Sequence, residues 1–299
     1  SVRSQKGEVL YHVIGVDQNT PQGRERTAAL ARGKFPFKTT DRSLDESLAQ
    51  CHQQGNLATT TDESIYTSAD VVVIDIPLDI PFRDDEPQLD MAGFEKAFRV
   101  VAQKVPPGAL ILVETTVPPG TCERVLRPVL IEELHARGLE DSAVHLAHSY
   151  ERVMPGENYL QSITHFWRVY AGASPQAANA CEVFLSSIID IESYPLTRLS
   201  STTASETAKL MENTYRAVNI AFIDEWTKYA EAVSIDLYEV IDAIRVRPTH
   251  SNIRFPGIGV GGYCLTKDPA FTPAAAKQIL NYQELEFPFS HLALQVNQA

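Results

Sequence analysis

Along the first 190 or so residues, short and nearly unbroken apolar runs alternate with stretches in which apolar positions recur every three or four residues. The first pattern predicts strands covered on both faces, and the second predicts helices with one buried side. Strands are expected over 9–16, 71–76, 109–114, 143–148 and 166–171, with Pro77 stopping the second. Helices are expected over 22–32, 44–50, 91–104, 121–137 and 175–189. Alternation of this kind implies an α/β domain built on a parallel sheet with helices on both faces.

The pattern changes near Ser200. No Pro or Gly interrupts 203–233, and Leu210, Tyr215, Val218, Phe222 and Trp226 recur at helical spacing. A helix of that length spans about 45 Å, enough for a spine between domains or a dimer interface. Thr203-x-x-Glu206 reads as a capping box at its start. A short helix over 236–244 follows, then a glycine-rich segment, and 289–298 opens another helix.

The 299 residues suffice for two domains and a sizeable core, and 44% apolar with 21% charged residues is the balance of a soluble globular protein. A net charge of −12 argues against a nucleic-acid partner, whose binding face would be basic. A phosphorylated small ligand remains compatible, because a few local cations can hold it. Cys51, Cys122, Cys181 and Cys264 are far apart, with no Cys-x-x-Cys pair. Neither a zinc site nor a disulfide framework is expected, and the setting expected is reducing and cytoplasmic. No apolar run approaches the ~18 residues of a membrane span, and no signal peptide is expected.

The densest chemistry lies in Gly257-Ile258-Gly259-Val260-Gly261-Gly262-Tyr263-Cys264-Leu265-Thr266-Lys267-Asp268. Free cysteines are commonly small core hydrophobes. Here, however, Lys267 could favour the thiolate and Asp268 could accept a proton, a combination suited to covalent catalysis. The glycines would let backbone approach a ligand closely. Separately, Val13-Ile14-Gly15-Val16-Asp17 looks like the second strand of a dinucleotide-binding unit, whose terminal acid hydrogen-bonds the adenosine ribose. The matching glycine loop would lie about 20 residues earlier. Only 16 residues precede Asp17, so the first strand, its phosphate loop and most of the first helix cannot all be present.

Five segments, in order, resemble the UDP-glucose/GDP-mannose dehydrogenase family. They are Val16-Asp17, Glu114-Thr115-Thr116-Val117-Pro118-Pro119-Gly120-Thr121, Glu151-Arg152-Val153-Met154-Pro155-Gly156, Glu206-x-x-Lys209-x-x-x-Asn213, and Gly261-Gly262-Tyr263-Cys264-Leu265-Thr266-Lys267-Asp268. The resemblance covers most of the chain, and its last motif is the most specific. It implies NAD as cofactor and two successive oxidations of the C6 alcohol of a nucleotide sugar, most simply a UDP-sugar, to the carboxylate. Cys264 would hold the carbon as a thiohemiacetal and then as a thioester. Lys209 and Asn213 share a helix face, and the resemblance implies that they stabilise the oxyanion and anchor a water or substrate hydroxyl. Spacing alone would read Lys209 as a surface lysine. Asp268 would help activate the hydrolytic water, Thr116 would orient it beside the nicotinamide, and Glu151 would sit in the loop leading into the substrate site. Asp17, Thr116 and Lys267 would contact NAD. Asn252, Arg254, Gly257 and Gly261, with Glu151, Lys209 and Asn213, would bind the sugar and diphosphate.

The same resemblance implies a Rossmann-like domain over 1–198 and a helical central domain over 199–280 that forms a homodimer through 203–233. It makes 281–299 the start of a linker to a nucleotide-binding domain expected to be missing. Several positions depart from the family pattern. Tyr150 replaces proline, Ile76-Pro77-Leu78-Asp79 replaces Val-Pro-Thr-Pro, Asp224 replaces asparagine, and Pro155 replaces a second glutamate of the UDP-glucose type. The Glu151–Gly156 motif is more similar to enzymes of UDP-N-acetylhexosamines, whereas Tyr263-Cys264-Leu265-Thr266-Lys267-Asp268 is more similar to the UDP-glucose type. Two other classes fit parts of the pattern. A two-electron β-hydroxyacid dehydrogenase shares the sheet, long helix and lysine but has no use for the cysteine loop. A non-catalytic assembly module would need the long helix alone.

Overall fold

The computed structural model describes residues 8–83, 86–153 and 156–298. Met154 and Pro155 of the Glu-Arg-Val-Met-Pro-Gly motif therefore lie outside the described residues. In chain order the first elements are β1 (Val13–Val16), α1 (Pro21–Ala31), α2 (Arg42–Gln54), β2 (Leu57–Thr60) and β3 (Val71–Ile74). A short hairpin, β4 (Phe82–Arg83) and β5 (Glu86–Pro87), precedes α3 (Ala92–Ala102) and β6 (Leu110–Val113). A π-helical turn (Thr121–Leu126) leads into α4 (Arg127–Ala136), followed by β7 (His145–Ser149), α5 (Tyr159–Thr164), β8 (Val169–Gly172), α6 (Pro175–Ile188) and β9 (Thr197–Arg198). The rest is helical: α7 (Thr202–Val233), α8 (Leu237–Arg245), α9 (Asp268–Gln278) and α10 (Pro288–Gln298).

The chain divides into two compact units. One comprises Ser1–Asp75, Lys96–Glu114 and Arg127–Thr202, and the other comprises Ile76–Glu95, Thr115–Leu126 and Thr203–Ala299. In the first, β1 and β2 pair in parallel, and a five-stranded sheet runs in the order β3-β6-β7-β8-β9. All four residues of β6 are buried, as a continuous Leu-Ile-Leu-Val run demands of a central strand. The core beside it joins Leu110, Leu112, Ala147 and Tyr170 of the sheet to Ala178, Cys181 and Leu185 of α6. Cys181 behaves there as a small hydrophobe, and burial pushes its thiol up to about 12.

The sheet is not parallel throughout. β3, β6 and β7 are parallel, but β8 runs antiparallel to β7, with Ala147 opposite Gly172. The six residues of α5 rise only about 9 Å, less than the length of β7. No full crossover helix separates β7 from β8, and β8 returns in the opposite sense. The strand expected over 9–16 is confined to Val13–Val16. The helix expected over 44–50 is longer, because Asp41 accepts the Ser43 N–H at its start and Gly55 closes it with φ 68°.

In the second unit α7 has two unlike faces. Glu206, Lys209, Leu210, Asn213, Ala217 and Ala221 are buried, whereas Met211, Tyr215, Phe222, Trp226, Tyr229 and Val233 are exposed. At about 100° per residue the exposed set lies within a narrow stripe. The sequence grouping of Leu210 with Tyr215, Phe222 and Trp226 thus merged two sides of the helix. Small and polar residues pack inward here together with Leu210 and Ile223, and the aromatic side chains of the helix point out. Lower down, Ile223 and Ala230 pack with Leu237 and Ile241 of α8, and Ala217 and Ala221 pack with Ala293 of α10.

Candidate active site

The buried face of α7 organises one cluster within the second unit. Glu206 is not used as a capping box. Its two carboxylate oxygens accept the backbone N–H of Gly120 at 2.6 Å and of Cys122 at 2.8 Å. These are the free N–H groups expected at the start of a helical turn, here satisfied from a distant helix. Glu206 is wholly buried, and that burial pushes its carboxyl up to about 7 against the opposing effect of the two N–H bonds. Burial and the adjacent Glu206 charge also push the Cys122 thiol far up, so it is no candidate nucleophile. Gly120 is needed in this turn: its φ is 90°, and a Cβ would meet the Leu280 side chain at 2.7 Å.

The anchored turn carries the Thr115-Thr116 pair. The Thr115 hydroxyl accepts the Ile76 N–H and donates to the Ile76 carbonyl, both at 2.9 Å. Thr116, the residue singled out in the sequence, is half-buried beside it. One helical turn along α7 from Glu206 stands Lys209, 8% exposed, which overturns the surface-lysine reading from spacing alone. One turn further, the Asn213 side-chain amide donates to Asp268 Oδ2 at 2.7 Å.

Asp268 opens α9, and its carboxylate is fully buried. Its other oxygen pairs with Lys267 Nζ at 3.1 Å. The Lys267 ammonium also lies 4.4 Å from the centre of the Tyr263 ring and 4.6 Å from that of Phe271, within cation–π range. Cys264 precedes this knot by a single turn: its carbonyl accepts the N–H of Lys267 and Asp268. Its thiol is exposed, unlike those of Cys122 and Cys181. The loop glycines are set by conformation, since Gly259 and Gly262 have φ of 94° and 90°. A Cβ at Gly257 or Gly261 would meet nothing within 4 Å, so crowding by the protein does not require glycine there.

The candidate substrate residues Asn252 and Arg254 lie upstream of the loop and line a cavity of about 270 Å³ with Tyr215, Arg245 and Phe255. The Asn252 amide donates to the Tyr215 hydroxyl at 2.8 Å. Arg245, not singled out in the sequence, stacks its guanidinium 4.6 Å over Phe255 and donates to the Ser251 carbonyl. The cavity therefore has two guanidinium groups on its walls, a donor set suited to phosphate oxygens.

The remaining candidates belong to the first unit. Asp17 follows β1, accepts the Gln18 N–H at 2.7 Å and pairs with Arg26 at 3.2 Å. An acid at the carboxyl end of a parallel strand fits the adenosine-ribose position of a dinucleotide. Glu151 follows β7, and one of its carboxylate oxygens accepts the Val153 N–H. Asp75, Glu114 and Arg168 gather at the same edge of the sheet, with Arg168 buried and bonded to Glu114 at 2.9 Å. Desolvation pushes both Asp75 and Glu114 above the usual carboxylate range. The Glu151 charge adds to the rise at Asp75 and Glu114. Ligands of open α/β sheets bind at strand carboxyl ends of this kind. Arg168 could have been suspected from the sequence only as a lone charge inside an apolar strand.

The family model for the NAD binding domain of the UDP-glucose/GDP-mannose dehydrogenase family matches residues 5–187, and that for the family's central domain matches 203–299. The UDP-N-acetyl-D-mannosamine dehydrogenase of Pyrococcus horikoshii is 33% identical over 269 residues, covering 90% of this chain and 60% of the relative. The NDP-N-acetyl-D-galactosaminuronic acid dehydrogenase of Ralstonia nicotianae is 30% identical over 292 residues, covering 94% and 64%. Among solved structures, UDP-D-ManNAc dehydrogenase from Pyrococcus horikoshii matches with a TM-score of 0.81 at 29% identity, covering 97% of this chain and 63% of that one. The chain thus spans less than two thirds of the length of each of these relatives.

Proposed function

This chain belongs to the UDP-glucose/GDP-mannose dehydrogenase family, and from that premise we propose that it serves the NAD-dependent, four-electron oxidation of the C6 alcohol of a UDP-N-acetylhexosamine to the carboxylate. The observation that carries this reading is the exposed Cys264 thiol one turn before the buried Asn213–Asp268–Lys267 network. The named relatives favour an N-acetylated hexose over glucose or mannose.

NAD would supply the hydride acceptor for each of the two oxidations, one NAD per oxidation; Asp17 would hold its ribose, Thr116 would lie near its nicotinamide, and Lys267 would contact it from the cysteine loop. The chain's own residues supply the rest. At the aldehyde stage the Cys264 sulfur forms a bond to the carbonyl carbon and the π electrons move to oxygen. Lys209, held on the buried face of α7, stabilises that oxygen as the positive partner of a developing anion. After the second oxidation the carbon is a thioester. Water attacks it, the C–S bond breaks, and the sulfur leaves as the thiolate. Asp268 takes the water's proton and Asn213 keeps Asp268 in place; Glu151 would take part, as the family resemblance implies, from the loop leading into the substrate site. Arg254, Asn252, Gly257 and Gly261 would receive the sugar and diphosphate.

A panel of UDP- and GDP-sugars tests this reading. NADH release is expected with UDP-N-acetylhexosamines and not with GDP-mannose. Release with GDP-mannose alone, or with no sugar of the panel, would contradict it.

We also propose that the exposed stripe of α7 is a homodimer interface. Six large apolar residues on one face of a 32-residue helix make the kind of contiguous patch that marks an interaction surface. A dimer is expected in sedimentation at micromolar protein, and Trp226→Glu, which buries a charge in that interface, is expected to give a monomer. A parent protein that sediments as a monomer would contradict the proposal. No described helix is long and apolar enough to cross a membrane.

A further inference from the structure

Asp79 stands at a departure from the family pattern, in Ile76-Pro77-Leu78-Asp79, and has an identifiable partner. Its carboxylate accepts the Tyr263 hydroxyl at 2.5 Å, and the Leu78 carbonyl lies 3.4 Å from the same hydroxyl. Both ends of this link are firmly held. Leu78 and Ile80, on either side of Asp79, are buried at 6% exposure each. The Thr115 hydroxyl grips both the N–H and the carbonyl of Ile76. On the other side Leu265 is buried and Thr266 bonds back to the Gly262 carbonyl at 3.0 Å. Tyr263 follows Gly262, whose φ of 90° turns the chain at that point. A carboxylate–phenol bond is charge-assisted and stronger than a neutral one. Desolvation and the Asp79 bond both push the Tyr263 phenol up, which keeps it protonated as the donor.

We propose that Asp79 is a positioning residue for the cysteine loop: by holding the Tyr263 hydroxyl it fixes the ring on which the Lys267 ammonium rests, one turn after Cys264. Lys267 is sandwiched between Tyr263 and Phe271 and tied to Asp268, so the Tyr263 ring forms one wall of its site. Releasing the hydroxyl lets the ring swing and leaves the cation without that wall. Cys264 lies between Tyr263 and Lys267 in one turn, its carbonyl accepting the Lys267 N–H at 3.2 Å, and because a cation near a thiol favours the thiolate, this turn is the route by which the link would reach Cys264. The inference rests on Cys264 being the nucleophile of the proposed reaction, and it assigns a purpose to an aspartate that the family pattern does not call for.

The test is alkylation of Cys264 by iodoacetamide, followed by peptide mass spectrometry across a pH series in the absence of substrate. Asp79→Ala and Tyr263→Phe are each expected to slow Cys264 alkylation at pH 7 by about threefold, the scale of coupling within one bonded network. Each should also move the midpoint of the pH profile upward. The double variant should be no slower than either single one, because both remove the same bond. Asp79→Asn keeps an acceptor for the hydroxyl and is expected to restore most of the parent rate. Unchanged or faster alkylation, additive losses in the double variant, or Asp79→Asn behaving as Asp79→Ala would overturn the proposal. NADH formation measured alongside separates the two readings. An active protein with unaltered alkylation sinks the positioning role alone, and a parent without activity on any nucleotide sugar sinks the reaction while the alkylation result still reports on the link.

Discussion

Carboxylate formation by the Cys264→Ser variant is expected to fall by about 10³-fold or more, the scale of losing a covalent nucleophile. Oxidising one carbon twice requires a group that holds the aldehyde, presents it for the second oxidation and then leaves. A thiolate does all three, whereas a serine hydroxyl is far less ionised and a poorer leaving group. The loss should lie in chemistry and not in folding. Cys264 is exposed, and surface substitutions of this size usually move stability by less than about 0.5 kcal/mol. Parallel measurement of the melting temperature and of acid product would separate the two. Carboxylate produced at the parent rate by the serine variant would remove Cys264 from the mechanism.

The largest expected stability effect is at Glu206. Replacing it with Ala leaves the Gly120 and Cys122 N–H groups buried without their acceptor, and each orphaned donor costs about 1–3 kcal/mol. A loss of about 4 kcal/mol is therefore expected from denaturant unfolding. The loss should also depend on pH in a definite sense. The folded carboxyl is raised from an ordinary 4.5 to about 7. Its contribution is complete below pH 4.5 and declines as pH rises through 7, because the buried site disfavours the charged form. A tenfold difference in proton affinity between the folded and unfolded chain is worth about 1.4 kcal/mol. The penalty of Glu206→Ala should therefore be greater at pH 5 than at pH 8, by up to about 3 kcal/mol. Equal penalties at both pH values would show that Glu206 does not titrate between them. Loss of this anchor would also free the turn carrying Thr116, so activity should decline with stability.

Elements that depend on local pattern were legible from the sequence, and those that depend on distant partners were not. The Leu110–Val113 run could only be a central strand, and 203–233 without Pro or Gly could only be a long helix. Leu57–Thr60 carries a single large apolar residue and offers no period to read. The helix Asp268–Gln278 was hidden by Pro269 and Pro273, which resemble breakers, although proline at the first helical turn is favourable. Thr203-x-x-Glu206 matched a capping box, but the carboxylate found stronger use on N–H groups more than 80 residues away. Likewise the apolar period of α7 joins the buried Leu210 to Tyr215, Phe222 and Trp226, which point outward.

The candidate site divides along the same line. Cys264, Lys267 and Asp268 are neighbours in sequence, and their grouping could be read directly. Lys209 and Asn213 were recognisable by family resemblance, since nothing local distinguishes a buried lysine on a helix from an exposed one. The Asn213–Asp268 bond joins residues 55 apart, and the Tyr263–Asp79 bond joins residues 184 apart. Such bonds arise from packing, which no local pattern encodes.

The central claim is that Cys264 retains the carbon between two oxidations. The most direct measurement is the ratio of NADH formed to carboxylate formed, in the presence of hydroxylamine at a concentration that traps free aldehyde. Two NADH per carboxylate with no trapped aldehyde is the predicted result. One NADH per sugar, with the aldehyde recovered as its oxime or with a ketone as product, would contradict it.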